Sequence, residues 1–178
     1  MDRSGGKAAL RALVALLAVA ILVAVALFFS RDKPGSANSA DVAAWNIPSL
    51  TGPERVALAD FRGKPVVVNF FASWCDACRF ELPGFSKVSE ELEGKVIFVG
   101  VNSQDGGQGL AMARRYGIDR WHLARDFGPG DSALHDALGG RGMPITVFYD
   151  RSGRKIDFAN GALSEPALRQ RLADLYGV

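Results

Sequence analysis

The 178-residue chain has only two cysteines and two histidines. Its two cysteines are too few for a four-thiolate zinc or iron–sulfur site or for a disulfide-dense domain. It also lacks a strong excess of one charge, because 21 basic residues face 19 acidic ones. Apolar residues make up 48% of the chain and charged residues 22%, so a packed core can form. The length suits one domain plus a tail or anchor.

The small basic excess is confined to the N-terminus. Residues 1–33 carry five basic and two acidic groups, whereas the rest of the chain carries 16 basic and 17 acidic groups. A near-neutral body lacks the positive surface that binds nucleic acid. We therefore expect no nucleic-acid partner.

A long apolar run follows the basic N-terminus. Residues 12–29 form 18 consecutive positions without a polar or charged side chain. As a helix they would span about 27 Å, close to the ~30 Å of a bilayer's hydrocarbon core. The sequence therefore predicts a transmembrane anchor at 12–29 after a short cytoplasmic N-terminus at 1–11. A cleavable signal peptide is the alternative: the run exceeds the usual apolar core of roughly 7–15 residues, but Ala37-Asn38-Ser39 offers an A-x-S cleavage pattern.

Charges around this run predict its orientation. Three basic residues precede it and two follow it, which favours a cytoplasmic N-terminus and an exported body. Residues 30–40 (SRDKPGSANSA) are typical of a flexible linker to a domain at 41–178. The expected location is the cell membrane, with a single span and the domain outside the cytoplasm, or a secreted protein if the N-terminal segment is cleaved.

The body alternates between strand and helix patterns. Residues 45–58 are broken by proline and glycine and suggest a hairpin, and the apolar run at 66–71 suits a central strand covered on both faces. The other predicted elements are a helix at 76–93, a strand at 96–101, helices at 110–116 and 132–138, strands at 145–149 and 155–160, and a helix at 164–176. This order predicts an α/β sandwich around a mixed sheet.

The most informative motif is Cys75-Asp76-Ala77-Cys78, which lies after the buried strand and at the start of a helix. Unpaired backbone N–H groups and the helix dipole stabilise a thiolate there and lower the thiol pKa. Two intervening residues allow both sulfurs to share one turn and close a disulfide. Cys75 is expected to be the attacking nucleophile and Cys78 the resolving thiol.

Two other uses of this pair are weaker. A purely structural disulfide would stabilise the fold little, because the loop that it closes is very short. A zinc site would need histidines, and His122 and His135 lack the usual H-x3-5-H spacing. We expect both histidines to be surface or packing residues.

Several segments resemble one protein family. Residues 69–83, NFFASWCDACRFELP, closely resemble the active-site stretch of the TlpA/ResA-type, DsbE-like branch of the thioredoxin superfamily, which typically reads N-F-W-A-x-W-C-x-x-C-x-x-E-x-P. Residues 142–146 (GMPIT) resemble the family's cis-proline loop, 149–153 (YDRSG) its next hairpin and 161–164 (GALS) its turn into the last helix. The resemblance covers about residues 42–178. Phe71 replaces a common tryptophan, and the peroxiredoxin pattern P-x-x-x-T-x-x-C is absent.

This resemblance implies a thioredoxin-like α/β fold, with a central mixed sheet flanked by helices, and a substrate groove beside the dithiol. Pro144 would be cis and face the sulfurs, leaving the Met143 backbone free to pair with an extended partner polypeptide. Trp74 would shield the thiol and shape the groove. The alternatives are an ordinary proline at the start of a strand and a tryptophan packed in the core.

Two acidic residues near the motif also have expected roles. Glu81 lies three residues after Cys78, so both share one helix face and the carboxylate could accept the resolving thiol's proton. Ordinary thioredoxins place a buried aspartate where this chain has Asn69, so the acid is moved to Glu81. The alternative is a solvated helix glutamate. Asp76 lies between the cysteines, and its charge disfavours a thiolate, which makes the pair less oxidising.

These features predict a membrane-anchored thiol–disulfide oxidoreductase that needs no organic cofactor or metal. The expected reaction is the reduction of disulfides in exported proteins, such as an apocytochrome c or a copper-site protein, with electrons from a membrane dithiol donor. An oxidase that installs disulfides is the nearest alternative. A non-catalytic copper(I) chaperone with two soft thiolates is an alternative of another class.

Overall fold

The computed structural model describes residues 44–178 together with Leu16, Leu17 and Ile21. The predicted N-terminus at 1–11, anchor at 12–29 and linker at 30–40 lie outside the described residues, apart from these three helical and exposed positions. Across the residues that are described, no helix has both the length and the apolar character to span a membrane.

The domain alternates strands and helices along most of its length. In chain order, the described elements are β1 (Asn46–Pro48), β2 (Arg55–Ala57), β3 (Val66–Phe71), α1 (Asp76–Glu91), β4 (Ile97–Asn102), α2 (Gly109–Arg115), β5 (His122–Arg125), α3 (Ala133–Ala137), β6 (Ile145–Tyr149), β7 (Lys155–Asn160) and α4 (Glu165–Tyr176). Two short 3-10 turns, Leu58–Phe61 and Pro129–Asp131, complete the set.

Five strands form one mixed sheet in the order β5-β4-β3-β6-β7. The strands β3, β4 and β5 are parallel, and β6 runs antiparallel to β3. Strand β7 pairs antiparallel with β6 and therefore runs in the same direction as β3. The strands β1 and β2 pair separately as an antiparallel hairpin. The predicted mixed-sheet sandwich, a thioredoxin-like arrangement, is therefore confirmed.

The central strand β3 is buried at all six positions, as its uninterrupted apolar run predicts. Its side chains alternate between two cores on opposite faces of the sheet. Val67 and Phe71 pack in the core that contains Cys75, Cys78 and α1 residues. Val66, Val68 and Phe70 pack in the opposite core, which includes residues of β1 and of α3.

Helix α1 packs on the sheet along a stripe with helical spacing. Its buried apolar members are Cys78, Leu82, Phe85 and Val88. Phe80, another apolar residue of this helix, is instead 71% exposed. The reason is geometric: position 80 lies on the face opposite to the stripe.

Most predicted elements agree with the structure to within two residues at each end. The exception is β5, His122–Arg125, a four-residue edge strand that the sequence patterns missed. Its two inner residues are buried and its two ends are exposed, so it shows neither a continuous apolar run nor strict alternation.

Candidate active site

The dithiol lies at one edge of the sheet. Because β3, β4 and β5 are parallel, the loops that leave their carboxyl ends meet at the same edge. The antiparallel strand β6 starts at this edge, so residues 143–144 approach it from the other side. Four chain segments that are distant in sequence are thereby assembled around the cysteines.

Cys75 and Cys78 form a disulfide with a sulfur–sulfur distance of 2.06 Å. Cys75 is the N-cap of α1, and its Sγ accepts a hydrogen bond of 3.0 Å from the Cys78 backbone N–H. Cys75 retains 3% exposure and Cys78 none. Cys75 therefore lies at the helix N-terminus, where backbone donors favour a thiolate, and Cys78 lies on the core side.

Glu81 is buried, with 1% exposure, one helical turn beyond Cys78. Its Oε1 accepts a hydrogen bond of 2.7 Å from Asn69 Nδ2, and its Oε2 accepts one of 2.8 Å from the Leu163 backbone N–H. Burial raises the pKa of Glu81 to about 7, although the hydrogen bonds from Leu163 and Asn69 act to lower it. The alternative of a solvated helix glutamate is wrong.

Asn69 reaches Glu81 because of the register of the sheet. Asn69 lies opposite Thr146 across β3 and β6, and its Nδ2 also donates to Thr146 Oγ1 at 3.2 Å. Its other amide atom, Oδ1, is the buried side-chain polar atom without a hydrogen-bond partner among residues 44–178. A buried amide that can present either a donor or an acceptor thus contacts the Glu81 carboxyl group.

Trp74 stands beside the disulfide and is 55% exposed, so the alternative of core packing is wrong. Its Nε1 donates a hydrogen bond of 2.7 Å to the Gln104 carbonyl oxygen in the loop after β4. The same loop holds Asp105, whose carboxylate accepts hydrogen bonds from the Ser73 backbone N–H at 2.6 Å and the Ser73 hydroxyl at 2.9 Å. Burial opposes ionisation of Asp105, but hydrogen bonds from Asn102, Ser73 and Gln108 outweigh it and lower the pKa.

The Met143–Pro144 peptide bond is cis, as the family resemblance implies. Pro144 is buried, and Met143 is half-buried against the core that contains both cysteines. Of the sequence-predicted site residues, Trp74 directly precedes Cys75, Met143 packs against the core that contains both cysteines, and Glu81 is buried one helical turn beyond Cys78.

The sequence motifs missed His135 as part of this region. It is 2% exposed, and its Nε2 lies 3.0 Å from the carbonyl oxygen of Gly142, next to the cis-proline loop. No spacing rule signals this contact, because the two residues are joined by an irregular loop. His122 is exposed at the far end of β5.

Asp76, between the cysteines, is almost fully exposed. Its carboxylate pairs with the Arg79 guanidinium at 2.7 Å, one turn along α1. The guanidinium offsets part of the negative charge that the motif places beside the sulfurs. Within residues 44–178, no group of three His, Cys, Asp or Glu side chains is placed to hold a metal ion.

The fold and the dithiol at the start of α1 define a thioredoxin-like thiol–disulfide oxidoreductase. Comparisons with known proteins agree. The profile of the AhpC/TSA family matches residues 40–171. The thiol:disulfide interchange protein DsbE of Pseudomonas fluorescens biotype C is 33% identical over 171 residues, which cover 92% of each chain. The thiol-disulfide oxidoreductase ResA of Oceanobacillus iheyensis is 30% identical over 67% of this chain and 62% of its own.

A solved structure extends the comparison to the fold. A secreted Mycobacterium tuberculosis disulfide oxidoreductase, described as homologous to Escherichia coli DsbE, superposes with a TM-score of 0.65. It shares 27% identity, over 76% of this chain and 98% of its own. The chain belongs to the AhpC/TSA family and is a thiol-disulfide oxidoreductase of the DsbE/ResA type.

Proposed function

We propose that the protein reduces disulfides in exported proteins from a membrane anchor formed by residues 12–29, with its domain at 41–178 outside the cytoplasm. The observation that carries the proposal is the buried Glu81, one turn from Cys78, with a pKa of about 7. A carboxyl group that exchanges its proton near neutral pH suits the step that releases a reduced partner. Similarity to a thiol:disulfide interchange protein over most of the chain supports a thiol–disulfide exchange reaction.

The first step is attack by the reduced protein on a partner disulfide. The Cys75 thiolate forms a bond to one partner sulfur, and the partner's sulfur–sulfur bond breaks. The second partner sulfur leaves as a thiolate and takes up a proton from water. Backbone N–H groups at the start of α1 stabilise the attacking thiolate before this step.

The second step resolves the mixed disulfide. Cys78 transfers its thiol proton to the Glu81 carboxylate, and the resulting thiolate attacks Cys75 Sγ. The bond between Cys75 and the partner breaks, and the partner leaves fully reduced. Two electrons have passed to the partner, and the protein holds the Cys75–Cys78 disulfide.

Asn69 gives both protonation states of Glu81 a hydrogen-bond partner. In the observed orientation its amide donates to Oε1, which suits the carboxylate. When Glu81 takes up a proton, a 180° rotation of the Asn69 amide would turn the unpartnered Oδ1 towards the new O–H. The buried acid can thus change its charge and keep a hydrogen bond from or to Asn69 in both protonation states.

The partner binds between Trp74 and the cis-proline loop. The exposed Trp74 ring contributes apolar area, and the Met143 backbone is free to pair with an extended segment. Apocytochrome c and copper-site proteins are the client classes that we propose, because their cysteines must be reduced to bind their cofactors. A membrane dithiol protein returns the electrons after each cycle.

Trapping of the mixed disulfide tests this order of events. The full chain, reduced and in detergent, is mixed with a synthetic peptide that contains an internal disulfide. We expect Cys78→Ala to accumulate a covalent peptide adduct on Cys75, because the resolving thiol is missing. Cys75→Ala is the matched control and should form far less adduct. Equal adduct formation by both variants would contradict the assignment of nucleophile and resolving thiol.

The anchor needs a separate experiment. Membranes from cells that express the full chain are washed with alkaline carbonate, which removes peripheral proteins. We expect the chain to stay in the membrane pellet, and a chain lacking residues 12–29 to appear in the supernatant. If the protein expressed from the full-length sequence is found only in the supernatant and is shortened at its N-terminus, the segment is a cleaved signal peptide instead.

A further inference from the structure

His135 contacts two loops, which form the two walls of the proposed substrate groove. One wall is Trp74 with the loop after β4, and the other is the loop at residues 139–144 that leads to the cis proline. We call the hydrogen-bonded set Trp74, Gln104, His135 and Gly142 the groove bridge. Within residues 44–178, no residue of the groove bridge forms a hydrogen bond to a cysteine sulfur. The bridge can therefore affect the reaction only through the positions of the two loops.

The first contact of the groove bridge fixes the cis-proline loop. His135 Nε2 lies 3.0 Å from the Gly142 carbonyl oxygen, which can only accept a hydrogen bond, so Nε2 carries the proton. Gly142 directly precedes Met143, whose backbone faces the partner. Gly140 of the same loop also approaches the Nε2 end of the ring, because a Cβ atom on Gly140 would overlap Cε1 and Nε2. The loop therefore closes around the imidazole.

The second contact reaches the opposite wall. With the proton on Nε2, His135 Nδ1 accepts a hydrogen bond of 3.4 Å from Gln104 Nε2. Asp136 Oδ1 lies 2.9 Å from the same nitrogen and could accept a hydrogen bond only from a protonated Nδ1, which would remove the Gln104 contact. The Gln104 carbonyl accepts the Trp74 indole hydrogen bond at 2.7 Å. Gln104 has a φ of 54°, a left-handed conformation that is uncommon for a residue with a side chain. Strained backbone of this kind is found preferentially at functional sites.

The position of His135 is itself fixed from the core. The buried Asp126 carboxylate, at the end of β5, accepts hydrogen bonds from the His135 backbone N–H at 3.0 Å and the Leu134 backbone N–H at 2.9 Å. The imidazole packs edge-on against Phe70 of β3, with ring centroids 5.9 Å apart. The backbone of His135 is thus fixed by the segment after β5, and its side chain packs on β3.

We propose that His135 is a positioning residue that sets the width of the substrate groove by tying the cis-proline loop to the Trp74 wall. This inference rests on the proposed binding of a partner polypeptide between these walls. It predicts that loss of the Nε2 contact weakens partner binding while the chemistry at the sulfurs is unchanged. A merely structural histidine would instead change stability without separating KM from kcat.

Two amide substitutions test this separation. In His135→Gln the amide nitrogen falls near the position of Nε2 and can still donate to Gly142, whereas in His135→Asn it falls near Nδ1 and cannot. The full chain is assayed with a disulfide-bonded peptide, and separately for reduction of its own disulfide by dithiothreitol. We expect His135→Gln to keep the wild-type KM to within about twofold, and His135→Asn to raise KM about threefold to tenfold, as loss of one hydrogen bond implies. The kcat and the dithiothreitol rate should change less than about twofold in both.

A surface variant covers the case in which the buried substitutions fail to fold. Gln104 is exposed, so Gln104→Ala removes the second contact without opening the core. It should raise KM about twofold to fivefold and increase the quenching of Trp74 fluorescence by acrylamide, since Trp45 and Trp121 are buried. Equal KM values for wild type, His135→Asn and Gln104→Ala would overturn the inference. Failure of the wild type to react with the peptide would overturn the proposed function instead.

Discussion

Asn69 Nδ2 donates a hydrogen bond of 2.7 Å to Glu81 Oε1, inside the core beneath the disulfide. Asn69 lies in the central strand β3, and Glu81 lies in helix α1, which starts at the cysteines. The hydrogen bond therefore joins the sheet to the helix that carries the reactive pair. An amide cannot ionise, and the single titratable group of this pair is therefore Glu81. Its proton chemistry should control both the reaction rate and the stability.

The first prediction concerns the rate of resolution. We expect Glu81→Gln to slow the release of glutathione from a mixed disulfide with Cys75 by about 100-fold at pH 7, because the amide cannot accept the Cys78 proton. The measurement is stopped-flow mixing of the full chain with oxidised glutathione. Glu90→Gln, on the exposed face of the same helix, is the matched control. Equal release rates in the Glu81 variant and the wild type would contradict a proton-accepting role.

The second prediction concerns the stability of the oxidised protein. The folded-state pKa of Glu81 is raised from 4.5 to about 7, so the folded state binds its proton more tightly than the unfolded state does. Glu81 therefore loses stabilising effect as pH rises from about 4.5 through 7. Glu81→Gln lacks this pH-dependent loss. The difference in unfolding free energy between the variant and the wild type should therefore shift in favour of the variant by up to roughly 3 kcal/mol between pH 4.5 and pH 8. Denaturant titrations at these two pH values measure the gain, and a constant difference would argue against the raised pKa.

The third prediction concerns Asp105, which holds the loop after β4 against Ser73. Asp105→Asn should lower the free energy of unfolding by about 1–3 kcal/mol at pH 7, because the ionised carboxylate accepts several hydrogen bonds that one amide oxygen cannot replace. The folded-state pKa of Asp105 is lowered, so this stabilisation is present above the unfolded-state pKa and disappears as pH falls through the folded-state value. Asp119→Asn, at an exposed position, should change stability little. The idea fails if both variants unfold alike.

The fourth prediction compares two phenylalanines of α1. Phe85 is fully buried, and Phe85→Ala should cost about 3–5 kcal/mol. Phe80 is 71% exposed, and Phe80→Ala should change the free energy of unfolding by less than about 0.5 kcal/mol. Thermal or denaturant unfolding of both variants checks the difference. Similar losses in the two variants would place Phe80 in a packed environment.

Local patterns in the sequence predicted much of the fold. The apolar run at 66–71 is β3 in the structure, and the strands at 145–149 and 155–160 have the predicted bounds. Such segments can be predicted because burial on both faces, or a turn such as 150–153, leaves a signature within a few residues. The edge strand β5 has only two buried residues and leaves no such signature.

The reactive pair could also be predicted from the sequence, but its surroundings could not. The Cys75–Cys78 spacing places both sulfurs in one turn, whereas the contact of Glu81 with the Leu163 backbone joins residues 82 positions apart. The Asn69–Thr146 register and the His135–Gly142 contact likewise depend on how distant segments meet. No local periodicity encodes such contacts, because they arise from the packing of the whole sheet.

The most direct test of the central claim is the reduction potential of the Cys75–Cys78 pair. The full chain in detergent is equilibrated with a series of reduced and oxidised dithiothreitol, and its free thiols are counted after acid quenching. A reductant of exported proteins should have a potential at or below about −230 mV, in the range of thioredoxin and the glutaredoxins. A potential near about −120 mV, typical of a strong oxidant, would contradict the proposed direction and indicate a protein that installs disulfides.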